Sequence, residues 1–229
     1  MPDAHAQPSL SRETIERTQR VEVRSAASYR PRLVRIEVGD RPAMVKDYRP
    51  CGWFLRALGG PWLVGREVRI YRALAGCPGV PRLLGQIDRH AFAVEYIPGR
   101  NAAEYADGTL PPEFFQHLQE VVNAIHAHGV VHCDLKNRRN IVVGEGYHPY
   151  LVDFSAAFGR RGRFQLLRGY AYRRFLLDDE KAVVKARLQV GKMWNAADAE
   201  FAFRRGPGER LIRRIRDGLR WAFKLLSRG

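Results

Sequence analysis

Between Gln19 and Ile97, apolar and polar residues alternate at period two in several short stretches, the pattern of strands with one buried face. Val21 and Val23 alternate with Glu22 and Arg24. Leu33–Val38 alternates again, Gly39-Asp40 turns the chain, and Ala43–Tyr48 forms a third strand. Arg82–Leu84 and Ala91–Tyr96 predict two more. Between the third and fourth strands, Pro50–Gly65 is rich in Gly, Pro and Trp and is expected to be irregular. A helix is then expected over Arg66–Ala75, ended by Gly76 and Pro78. Beyond Pro98-Gly99 the spacing becomes helical. Pro112–His128 puts Phe114, Phe115, Leu118, Val121, Val122 and Ile125 on one face, and Gly129 stops it. Two short apolar strands, Ile141–Val143 and Tyr150–Val152, flank a Gly144-Glu145-Gly146 turn. Asp178–Val190 predicts a helix with an acidic start, and Glu209–Ser227 an arginine-rich one. Residues 1–18, polar with two prolines, read as a mobile tail with room for a short helix at its end. The expected order is an α+β chain: five strands with one helix after the third, then a mostly helical half. The expected divisions are 1–18, 19–97, 98–203 and 204–229.

Composition narrows this picture. A chain of 229 residues can bury one large core or two small ones. No stretch approaches the length of an apolar transmembrane helix, and the N-terminus lacks the basic start and apolar run of a secretory signal. Cys51, Cys77 and Cys133 are odd in number and form no CxxC. They argue against a disulfide framework or zinc site and for a reducing, cytoplasmic setting. Cys133 reads as a small buried residue. The net charge of +15 is concentrated late in the chain. Ser155–Leu177 holds six arginines and no acid; Arg204–Gly229 holds nine Lys/Arg against Glu209 and Asp217. Something anionic is expected near that half, a phosphorylated substrate or a membrane surface, with nucleic acid the weaker expectation. In Glu209–Ser227, Leu211, Ile215, Leu219, Ala222 and Leu226 form a stripe flanked by arginines and Trp221. That pattern fits peripheral attachment to an inner membrane surface as well as packing on the protein.

The chemistry concentrates in VVHCDLKNRRNIVV (Val130–Val143) and LVDF (Leu151–Phe154). Asp134 follows His132 by two. Asn140 opens the first hairpin strand, and Asp153 ends the second. One carboxylate to orient an attacking hydroxyl, with an amide and a second carboxylate to hold magnesium on nucleotide phosphates, is the set that phosphoryl transfer requires. Upstream, Lys46 closes the third strand in AMVK, and Glu67 lies on the helix after it. That is the order in which a strand lysine and its carboxylate partner occur.

In these motifs the chain resembles the protein-kinase-like superfamily, over about Val21 to Arg187. More narrowly it is similar to compact bacterial members, the lipopolysaccharide-core sugar (Kdo and heptose) kinases, and to RIO-type kinases. The resemblance implies a bilobal fold with a five-stranded antiparallel N-lobe, one helix in it, and a reduced helical C-lobe. It implies ATP and magnesium, with Asp134 as catalytic base and Lys136 neutralising the transferring phosphate. Asn140 and Asp153 would be metal ligands, and Lys46, held by Glu67, would contact the nucleotide phosphates. The backbone of Glu95 and Ile97 would meet adenine, and Asn101 the ribose. His132 would support the loop. The expected acceptor is a lipopolysaccharide-core sugar or a similar anionic glycolipid. The alternatives are a RIO-like serine/threonine kinase with a protein acceptor, which Lys136 favours, and a pseudokinase that binds without turnover. The chain departs from the family pattern in several places. Asn140 is six residues after Asp134 instead of five, which leaves Asn137 as an alternative ligand. RSAASYRP (Arg24–Pro31) has no glycine-rich signature. Cys133 replaces the usual arginine, and Ser155 the glycine after Asp153-Phe154.

Overall fold

The computed structural model of the chain describes residues 10–39, 41–160 and 165–203. They form helix α1 (Arg12–Arg17), strands β1 (Arg20–Arg24), β2 (Arg32–Val38) and β3 (Arg41–Asp47), helix α2 (Gly60–Ala73), and strands β4 (Leu83–Asp88), β5 (Ala91–Glu95) and β6 (Arg100–Asn101). Then come helix α3 (Pro112–Ala127), strands β7 (Val130–Val131), β8 (Ile141–Val143), β9 (Pro149–Leu151) and β10 (Phe158–Gly159), and helices α4 (Gln165–Gln189) and α5 (Ala196–Phe203). Among the described residues, 10–68 and 82–96 make one compact unit, and 69–81 with 97–203 make a second.

The first unit is a five-stranded antiparallel sheet, as the resemblance implies, in the order β1-β2-β3-β5-β4. Val34 pairs with Val45, Ile36 with Ala43, and Val45 with Ala93. Those residues therefore collect on one face, where Ile15 of α1 and Leu10 pack onto them. The stretch expected as a mobile tail thus joins the core from Leu10 onward. Arg12 fixes it there. Its guanidinium donates to both oxygens of Asp47 (2.8 and 3.0 Å) and both of Asp88 (2.6 and 3.2 Å). Arg32 adds a bond to Asp47 at 3.0 Å.

Lys46 alternates to the other face of β3, where α2 supplies Glu67 beside buried Val64 and Val68. The helical segment is longer than the sequence pattern predicts. The chain is helical from Trp53 and passes through a π-turn at Leu55–Gly59 before α2. Local composition is overridden by burial of Leu55 and Val64 and by the fit of Gly60. A Cβ at Gly60 would lie 2.6 Å from the Leu55 carbonyl and 2.9 Å from Tyr48 Cβ. Glycine there lets the helix lie against the end of β3.

In the second unit the apolar face of α3 is buried throughout, from Phe114 to Ile125. β6, β8 and β9 form a small sheet, with Ile141 opposite Leu151. β7 pairs with β10. Gly79 ties the α2–β4 connection to this unit. Its φ is +71°, its carbonyl accepts from Leu151 N at 2.8 Å, and a Cβ would stand 2.3 Å from Val121. Helix α4 starts at Gln165, well before the expected Asp178. Two contacts explain the extension. Tyr172 is buried and donates to the His126 carbonyl at 2.9 Å, and Arg174 pairs with Asp178 at i,i+4, 2.8 Å. The basic helix expected over 209–227 lies outside the described residues. Among the described residues, no helix is long and apolar enough to cross a membrane.

Candidate active site

In the first unit, Lys46 and Glu67 form a buried ion pair. Lys46 Nζ donates to Glu67 Oε1 at 3.0 Å and Oε2 at 2.8 Å, and Glu67 is 1% exposed. β3 fixes the lysine and α2 the carboxylate. Removing one partner of such a pair strands a buried charge, at a cost of about 3–5 kcal/mol. The β1–β2 connection closes as a tight turn, with backbone bonds exchanged between Ala27 and Arg30. It is pinned from below: Gly52 N donates to the Ser28 carbonyl at 3.2 Å, and Cys51 Sγ to the Arg30 carbonyl at 3.3 Å. The N–H groups of Ala27 and Arg30 are thereby spent within the turn. Burial pushes the Cys51 thiol up to about 11, so it stays protonated at neutral pH.

In the second unit, β7 delivers the chain into the His132–Asn140 loop. His132 is fully buried. Its Nε2 donates to the Val152 carbonyl at 3.0 Å, its ring packs on Phe154 at 4.8 Å, and Tyr71 meets the same Phe154 edge-on at 5.2 Å. The supporting place expected for His132 is the one its contacts describe. Asp179 of α4 holds the same loop from behind. Buried at 1% exposure, it accepts from His132 N at 2.6 Å and Cys133 N at 2.9 Å, and His126 Nε2 lies 3.2 Å away. This residue escaped the sequence reading, which took Asp178-Asp179-Glu180 as an acidic helix start. A helix begun at Gln165 puts Asp179 one face with buried Tyr172, Ala182 and Val183. An acid at a buried helical position was the available signal.

Two non-glycine residues here adopt left-handed backbone: Cys133 (φ 68°), directly before Asp134, and Asp153 (φ 62°). Such conformations cost on the order of 1–3 kcal/mol and persist where surrounding contacts over-determine them. At Cys133 the contact is the bond to Asp179.

Asn140 and Asp134 meet. Asn140, 5% exposed, donates from Nδ2 to the Asp134 carbonyl at 3.0 Å and to Asp134 Oδ2 at 3.1 Å. Asn137 is exposed, and its side-chain oxygen caps the short turn at Arg139 N; its Nδ2 approaches Asn140 Oδ1 at 3.3 Å. The extra residue of the loop is thus taken up in the Arg138–Asn140 turn. The ladder of β8 and β9 continues one step, Val152 N donating to the Asn140 carbonyl at 2.9 Å. Asn140, just before β8, and Asp153, just after Val152, therefore lie at the same end of the small sheet. One amide oxygen and one carboxylate are hard oxygen donors, and two protein ligands suit magnesium, which keeps waters and phosphate oxygens for the rest. The donor set fits that ion.

The remaining predicted residues are less closely built in. Lys136 is exposed. Glu95 spends its N–H on the Arg82 carbonyl at 2.8 Å. Ile97 follows in the second unit. Asn101 donates from Nδ2 to Glu104 Oε1 at 2.7 Å, a local turn contact.

Comparisons with known proteins bear on the fold. The family model of the RIO domain matches residues 61–162. That span contains Glu67, Asp134, Asn140 and Asp153 but not Lys46. A serine/threonine-protein kinase-like protein of Arabidopsis thaliana is 25% identical over 99 residues, 40% of this chain and 29% of that protein. The crystal structure of the Rio2 kinase from Chaetomium thermophilum superposes with a TM-score of 0.59 at 13% identity, covering 86% of this chain and 66% of that one. The chain thus spans under a third of the curated relative and about two thirds of the structural one. By its two units, its ordered motifs and these matches, the chain is similar to protein-kinase-like proteins, with a RIO-domain match over its central part and a fold like that of the Rio2 kinase.

Proposed function

We propose that this protein is an ATP- and magnesium-dependent phosphotransferase of RIO-like type, moving the γ-phosphoryl group to a serine or threonine hydroxyl of a protein. The observation that carries the reading is the buried Asn140 side chain bound to Asp134, with Asp153 at the same end of the small sheet. Asp134 Oδ1, the oxygen not bonded to Asn140 Nδ2, is the atom assigned to take the acceptor's proton. Asn140 Oδ1 and the Asp153 carboxylate would hold magnesium, which when bound neutralises charge on the β- and γ-phosphates. Lys46, kept extended by Glu67, would contact the nucleotide phosphates, and exposed Lys136 is free of burial to meet the transferring group. Glu95, Ile97 and Asn101 are assigned to the nucleoside on family resemblance.

The acceptor favoured by the sequence reading, a lipopolysaccharide-core sugar, finds no support among the relatives. The RIO match and the Asp134-Leu135-Lys136 order support a protein hydroxyl instead. Incubation with ATP labelled at the γ-phosphate, against a cell lysate separated into protein and glycolipid fractions, tests the reading. Label on serine or threonine is expected. Label confined to glycolipid would restore the sugar-kinase alternative, and no transfer to either would reject the assignment.

A further inference from the structure

We infer that the outward face of the helical segment 53–66 is a docking surface for an anionic lipid bilayer. Trp53, Leu58 and Trp62 are 57%, 65% and 61% exposed. Soluble surfaces carry single exposed apolar residues routinely, but an aligned set of the largest ones calls for an occupant. The π-turn is what aligns them. Its Gly60 N–H donates back to the Leu55 carbonyl, five residues earlier, so the step from Trp53 to Leu58 is one turn. The steps from Leu58 to Trp62 and from Trp62 to Arg66 are ordinary α-turns. The stripe is therefore continuous, while Leu55, Val64 and Val68 bury the other side. Tyr29, 54% exposed, follows Ser28, whose carbonyl accepts from Gly52 N at the start of the segment.

Charge selects the occupant. Arg49, Arg56 and Arg66 are the only charged residues from 49 to 66, and the next, Glu67, is buried against Lys46. The Arg66 guanidinium lies 5.4 Å from the Trp62 ring centroid. Tryptophan and tyrosine with arginine stems alongside are the residues that settle at headgroup depth, rings in the boundary and cations at the phosphates. A protein partner would have to offer a surface at once apolar and wholly anionic, whereas an anionic leaflet is such a surface by construction. Single-stranded nucleic acid would use the aromatic rings and arginines, but it gives Leu58, the most exposed of the three, nothing to stack on. The attachment is peripheral, since no described helix is fit to cross a bilayer. It is independent of the transfer reaction proposed above and is read without nucleotide.

The test uses the full-length chain and cosedimentation with phosphatidylserine-rich vesicles, neutral phosphatidylcholine vesicles and a single-stranded RNA oligonucleotide. Wild type should bind the anionic vesicles, release as salt rises, and leave the neutral ones unbound. The variant Trp53→Ser/Leu58→Ser/Trp62→Ser should lose at least about tenfold in vesicle affinity. Arg56→Gln and Arg66→Gln should each lose about fivefold. Trp53, Arg56, Leu58 and Trp62 are exposed, so thermal unfolding of their variants should match wild type; should the triple variant fail to fold, Arg56→Gln decides alone. Equal vesicle binding by wild type and variants, or no vesicle binding by wild type, overturns the proposal. Loss of RNA binding with vesicle binding unchanged would assign the face to nucleic acid instead.

Discussion

Replacing Asp179 by alanine should loosen the loop that presents Asp134, although Asp179 lies 45 residues away along the chain. The substitution removes the acceptor of two backbone donors, His132 N at 2.6 Å and Cys133 N at 2.9 Å. Each buried donor left unpaired costs about 1–3 kcal/mol, so the pair is worth about 2–6 kcal/mol. Part of that returns when Cys133 leaves its left-handed conformation, which stores on the order of 1–3 kcal/mol. The net loss should be about 3 kcal/mol, a large fraction of a typical domain's stability. Asp179→Asn keeps one acceptor oxygen and turns an NH2 toward the other donor, so it should lose about half as much. Urea unfolding followed by circular dichroism reads the stability, and amide hydrogen exchange reads His132 and Cys133 directly. Phosphoryl transfer should fall with the loss of the loop's geometry. Asp179→Ala with an unchanged urea midpoint and unchanged exchange at those two amides would refute the reasoning.

Two further outcomes follow from the same geometry. Asn140→Ala should cost far more transfer activity than Asn137→Ala, because Asn140 is buried on Asp134 whereas Asn137 is exposed and reaches the site only through Asn140; steady-state kinetics in the reverse order would make Asn137 the ligand. The α1 clasp should fail in acid. Burial alone would raise Asp47 and Asp88, but bonds from Arg12 and from backbone N–H groups outweigh it and hold both below the ordinary carboxylate value of 3.8. Folded values below unfolded ones mean stability that is present above that value and lost as pH falls through the folded ones. Urea midpoints should therefore drop steeply below about pH 4 in wild type and less steeply in Arg12→Ala; parallel acid profiles would contradict this.

The sheet was legible because its alternation is strict. A one-residue slip of β2 on β3 would put Val34 and Ile36 on the face opposite Ala43 and Val45, and the register formed keeps the four together. Helix α3 was legible for the same reason at helical spacing. The order Lys46, Glu67, Asp134, Asn140, Asp153 was legible from local motifs, and the ion pair and the Asn140–Asp134 contact bring the expected neighbours together. The rest depended on contacts distant in sequence. Nothing local announces that Arg12 will find Asp47 and Asp88, so residues 10–17 read as tail. Glycine and proline hid the helix at 53–66, which tertiary burial of Leu55 and Val64 sustains against its propensity. Asp179 read as a helix start because the helix was begun too late, at the first acidic residue instead of at Gln165.

The central claim is that Asp134 serves as the base of a metal-dependent phosphotransferase. The most direct measurement follows transfer of label from γ-labelled ATP to a protein acceptor, with and without magnesium, for wild type and Asp134→Asn, with nucleotide affinity measured alongside. The account predicts magnesium-dependent transfer by wild type, none by the variant, and nearly equal nucleotide affinity in the two. Equal transfer by both proteins, or transfer indifferent to magnesium, would contradict it.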